Sequence, residues 1–178
     1  MERNFEFTDE TVTVSGRTLH RIKALVDLPQ HNVKAGDLGG FVEKPYNLIG
    51  DAWVGRGACV YEGAVVSENA HVYGDARVFG DARVYGNAQI YGDAEVYGDS
   101  CVNDDAQVYG NAHVCEAARV YGNAQVYDNA RAGRNADILD NAQIYGNAEV
   151  YGYVTVYGNA KVCGGTKLEG KLLVKEQQ

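Results

Sequence analysis

From Leu48 onward an aliphatic residue returns every sixth position without an insertion or deletion: Leu48, Val54, Val60, Val66, Val72 and so on to Leu168 and Val174. That spans 21 complete hexads of the form V-Y-G-N/D-A-x. The fifth place is small almost throughout, with only Val154, Thr166 and Leu172 larger. An α-helix cannot use such a period, because positions six apart are rotated by about 600° and smear around the axis. Short strands joined by tight corners can. The β-branched residue points inward and its neighbours point out. The Gly–Asn/Asp pair turns the corner, since these residues tolerate positive φ and bond locally to the backbone. Alanine fits the cramped space just inside.

Three such sides close a coil of 18 residues, so the period predicts an all-β, three-sided parallel β-solenoid. Its length is about seven coils, or roughly 34 Å at the spacing of neighbouring strands. The expected organisation is a cap of residues 1–47, a β-helix over 48–174 and a tail at 175–178. Within the cap, "TVTVSGRTLHRI" alternates around Ser15–Gly16 and reads as a β-hairpin plugging one end. "KAGDLGG" reads as a loop leading into the first coil. The far end carries Lys167, Lys171 and Lys175, which protect an open strand edge by charge.

The repeats resemble the hexapeptide-repeat, left-handed parallel β-helix superfamily, and left-handedness is what that resemblance implies. The segment Arg21–Leu48, with "VKAGDLGGFVE" at Val33–Glu43 followed by tandem "VYGNA" units, resembles a poorly characterised group of bacterial and phage proteins, the YdcK-like ones. Members of that group are named transferases or polymer-forming proteins. The resemblance brings no agreed active site, so an enzymatic name would rest on fold alone.

Residues 18 apart stack on one side, so the outward positions form columns. On side B the column after the inward residue is Tyr73, Tyr91, Tyr109, Tyr127 and Tyr145; the column before it contains Gln89, Gln107, Gln125 and Gln143. An exposed ladder of tyrosine and glutamine suits a partly wet protein contact, and its plain reading is cross-strand stacking that steadies the sheet. Side A has Tyr85, Tyr121 and Tyr157, broken by Ser67, Asn103 and Leu139. Side C has Tyr61, Phe79, Tyr97 and Tyr151, broken by Cys115 and Gly133, where a shallow notch is expected. Beside it run Arg77, Glu95, His113, Arg131, Glu149 and Lys167, a ladder of alternating charge.

His113 and Cys115 are the weak catalytic candidates, but residues i and i+2 on a strand sit about 7 Å apart, beyond direct proton transfer. No loop interrupts the hexads to build the cleft a hexapeptide acyltransferase uses. His71 and His113 are the only coil histidines, too few for the three-histidine zinc site of the γ-class carbonic anhydrases, which the resemblance brings in as relatives by fold. No cofactor is expected. A net charge of −8 opposes direct nucleic-acid binding and attraction to an anionic membrane. Neither a signal peptide nor a membrane span is visible, and no cysteine sits in a CxxC, so reduced thiols and a cytoplasmic setting are expected.

The favoured reading is a non-catalytic scaffold or protein-interaction module that self-associates through the Tyr/Gln ladder, with a trimer preferred. One alternative is a hexapeptide-type acyltransferase with a site between subunits. The other is an acidic rod, phage-encoded in one version, that mimics nucleic acid and occupies a basic protein partner.

Overall fold

The structure is a computed structural model and describes residues 3–175. Its first strands, β1 (Phe5–Val14) and β2 (Arg17–Ala24), form the expected antiparallel hairpin. The turn between them places Ser15 and Gly16 at φ 50° and 77°, the paired left-handed geometry that suits the twist of a hairpin. β3 (Leu38–Val42) pairs antiparallel with β2 and parallel with the strand Cys59–Val60. From there the chain winds as a three-sided solenoid of short parallel strands, most of two residues, each in register with the strand 18 positions on.

Among the described residues, two sides hold seven strands each. Side C is a ten-stranded sheet, because the hairpin and β3 continue it upward. Parallel stacking therefore reaches back to Val42, one rung before the six-residue period becomes visible. The lead-in segment "KAGDLGG" is a loop only as far as Asp37; Leu38, Gly39 and Gly40 differ from the loop expected of them, since Leu38–Val42 is strand. Gly39 and Gly40 serve there by lacking a side chain. A Cβ on Gly39 would lie 2.5 Å from the Val54 carbonyl oxygen, and one on Gly40 would lie 2.4 Å from the carbonyls of Ala58 and Gly55. Backbone approaches too closely for any other residue.

The core is a column of valine and isoleucine on one set of rungs and alanine on the other, nearly all fully buried. Each buried valine or isoleucine contributes about 1.5–3 kcal/mol relative to exposure. The top of this column is closed by Phe5, Ile22, Leu28 and Val33, which join the same cluster as Ala52 and Val54. The hairpin also reaches over the outside of side C. Val12, Val14, Leu19 and Phe41 pack there with Cys59, Tyr61 and Phe79.

The third place of most hexads takes the left-handed conformation, as in Gly74, Gly92 and Gly110 at φ 70–73°. Several acids hold the same conformation, including Glu62, Glu68, Asp104, Asp128 and Asp140. Their carboxylates bond from coil to coil. Each accepts the backbone N–H of the glycine one coil on: Gly80, Gly86, Gly122, Gly146 and Gly158, at 2.9–3.1 Å. The asparagines at fourth places also bond from coil to coil. Asn111 donates to Asn129 and Asn129 to Asn147, at 3.2 and 3.3 Å. Of the expected 175–178 tail, Lys175 belongs to the last strand and the rest lies outside the described residues. No helix among the described residues is long and apolar enough to cross a membrane.

Candidate functional site

Side B carries the longest unbroken surface feature. Its five tyrosines stack with ring centroids 4.8–5.0 Å apart and planes within 1–6° of parallel. The coil spacing imposes this, since identical residues in register on parallel strands repeat at the strand separation. The glutamine column lies alongside. The Tyr73 hydroxyl donates to Gln89 Oε1 and the Tyr91 hydroxyl to Gln107 Oε1, each at 3.3 Å.

The rings are half-buried, where the sequence suggested exposure. The faces of Tyr91, Tyr109 and Tyr127 are covered by the rings above and below, so between its ends the strip offers edges, hydroxyls and amides. Along that length it is no platform for stacking a nucleobase or a sugar. Burial, with Tyr91 and Tyr127 on either side, pushes the Tyr109 hydroxyl up to about 12. The strip therefore stays neutral at physiological pH.

The aromatic column does not stop at Tyr73. His71 packs against that ring at 4.5 Å, and His31 packs on His71 at 4.7 Å. His31 comes from a 3-10 turn, Pro29–His31, that overhangs the first coil. Its Nε2 lies 2.8 Å from the Asp51 carbonyl oxygen, so Nε2–H is the donor. Burial and the nearby His31 hold His71 down at about 4, and burial lowers His31 as well. Around the pair lies an open cleft of about 570 Å³ whose lining includes Asp51, Asn69, Asn87 and Gln89. Sequence reasoning singled out His71 only as one of two coil histidines. His31 lies outside the period, and nothing local in the sequence joins the two.

The other two sides offer less. On side C, Tyr61, Phe79 and Tyr97 stack at 4.9–5.1 Å, but Tyr61 is only 3% exposed beneath the hairpin. The expected notch at Cys115 and Gly133 is filled. A Cβ on Gly133 would lie 2.4 Å from Tyr151 Cε1 and 3.1 Å from Cys115 Sγ, so the Tyr151 ring leans into the space. On side A the tyrosines are interrupted, and Arg119 instead grips Asp137 with two bonds of 2.6 and 2.7 Å.

His113 and Cys115 sit on this side C strand without forming an activated pair. His113 Nδ1 faces Glu95 Oε2 at 3.4 Å. Cys115 is buried; burial pushes its thiol up, and the adjacent Tyr97 hydroxyl offsets this only in part. A protonated, covered thiol is a poor nucleophile. The charged column around them is real: Arg77 reaches Glu95 at 3.7 Å and Lys167 reaches Glu149 at 3.0 Å. All four cysteines are free thiols.

Residues 70–86, 88–103 and 142–158 match a family described as the YdcK beta solenoid repeat. The chain is a β-solenoid repeat protein. The matched stretches carry hexads from all three sides, so the likeness concerns the coil itself and not one surface. No curated protein matches the chain.

Proposed function

We propose that this chain is a non-catalytic solenoid scaffold that associates with copies of itself through side B. The observation that carries the reading is the uninterrupted Tyr73–Tyr145 stack with its flanking glutamines. The equivalent column on side C is closed off by the hairpin and Tyr151, and that on side A is broken. A flat strip of neutral, half-buried aromatics with polar tips has the composition of a protein–protein contact. Amides at Gln125 and Gln143 supply donors and acceptors that a second copy of the same strip satisfies. Three copies packed side to side would bring three such strips together, and a trimer is the assembly we favour.

Sedimentation velocity of the wild type beside Gln125→Lys/Gln143→Lys tests this. The substitutions leave every tyrosine stack in place and set two positive charges on each strip. Dissociation to monomer with an unchanged far-UV circular dichroism spectrum is expected. An oligomer that survives the change would remove side B as the contact.

A further inference from the structure

The hexad rule fails at the same corner of two successive coils. Tyr153–Val154–Thr155 and Lys171–Leu172–Leu173 stand where Asn/Asp–Ala–x is the norm. With valine and leucine in the alanine place the corner opens out, and side A ends in two five-residue strands, Tyr153–Tyr157 and Lys171–Lys175. They pair in parallel register, Tyr153 beside Lys171 through to Tyr157 beside Lys175.

Among the described residues, nothing pairs with the outer edge of Lys171–Lys175, the last strand of its sheet. Along the solenoid, odd-numbered residues donate N–H to the following coil, as Tyr91 does to Val108 and Tyr151 to Leu168. The same polarity aims the N–H groups of Lys171, Leu173 and Lys175 at the open side. Leu173 is 77% exposed, Tyr153 67% and Leu172 41%. They border a groove of about 570 Å³ together with Asn135, Asp137 and Thr155.

We propose that this edge receives an extended, acidic segment of a partner protein as an added strand. Main-chain bonds to an exposed edge give affinity in this mode, and alternate side chains give specificity. The strand dictates the pattern. Residues lying beside Leu172 and Val174 extend the core and must be apolar. Residues beside Lys171, Leu173 and Lys175 face out and must read acid, apolar, acid, because directly opposed unlike charges stabilise a strand pair. The same lysines disfavour a second copy as occupant: antiparallel pairing of two such strands about Leu173 sets Lys171 against Lys175 of the other copy, and like charges repel. Lys161, from the neighbouring side B of the last coil, adds to the positive end.

The test is an NMR titration of the whole chain with two synthetic peptides, Asp-Glu-Val-Leu-Val-Glu-Asp and its counterpart with lysine at every acidic position. Saturable shifts confined to 153–157 and 171–175 are expected with the acidic peptide alone. Lys171→Glu/Lys175→Glu changes only exposed side chains; it should weaken the acidic peptide at least tenfold and admit the basic one. Gln125→Lys/Gln143→Lys on side B should leave the titration unchanged, which separates this edge from the self-association strip. Equal response to both peptides, no saturable shift at the edge, or shifts centred on side B would each overturn the proposal.

Discussion

The carboxylate of Asp128 accepts the backbone N–H of Gly146, one coil further on, at 3.1 Å. Asp128 itself sits at φ 59°, a conformation that costs most residues about 1 kcal/mol. One residue thus turns the corner and satisfies a donor on the next corner. Asp128→Ala loses the acceptor and keeps the strain, and should cost about 2 kcal/mol. Asp128→Gly loses the acceptor but relieves the strain, and should cost about half as much. Urea denaturation of the two variants checks the order; equal losses would show that strain at this corner contributes nothing, and no loss in either variant would show the same of the bond between coils.

Ser100 occupies an alanine place in the core, 1% exposed, and its hydroxyl has no hydrogen-bond partner. A buried hydroxyl left unpaired costs about 1–3 kcal/mol. Ser100→Ala should therefore stabilise the protein by about 1 kcal/mol or more, read as a higher urea midpoint at unchanged slope. A lower midpoint would mean that the hydroxyl is partnered in solution.

These two positions show how far the sequence reaches. Ser100 and the corner acids stand at places the six-residue period numbers unambiguously, so their neighbours 18 residues away follow from counting alone. The same arithmetic aligned the Tyr/Gln columns of side B and the charged column through His113. What it could not supply depends on segments outside the period or on how side chains lean. His31 meets His71 only because a 3-10 turn folds over the first coil. Tyr151 fills the space at Gly133 by leaning toward the coil above. Gly39 and Gly40 read as loop residues until Val54 and Ala58 are seen to crowd them. The direction of the Asp128 carboxylate is a rotamer, and no spacing encodes it.

The His31–His71 contact makes stability depend on pH. His71 in the folded chain takes a proton only near pH 4, whereas the unfolded chain does so at its ordinary value of 6.5. Its folded value is lowered, so stability is intact above about pH 6.5 and is lost as the pH falls toward 4. Allowing for the partial exposure of the ring, the loss is on the order of 2 kcal/mol. His31, lowered by burial, acts in the same direction. Denaturation at pH 7.5, 5.5 and 4.5 should show a smaller acid loss for His71→Gln than for the wild type. Identical slopes would mean that the imidazole titrates as it does in the unfolded chain.

Tyr109 is stacked on both faces, against Tyr91 and Tyr127, and its outer edge belongs to the strip. Tyr109→Ser should lower stability by about 1–3 kcal/mol through the two lost stacks and should also break the assembly. At a temperature where the variant remains folded by circular dichroism, it should sediment as a monomer. A folded variant that keeps the wild-type mass would separate the stack from assembly and leave it a purely internal support.

The measurement closest to the proposed role is the absolute mass of the wild-type chain in solution, by light scattering coupled to size exclusion over a wide range of concentration. A stable trimer near 58 kDa, three times the 19.3 kDa chain, is the expected result. A mass of 19.3 kDa at every concentration would contradict self-association through side B.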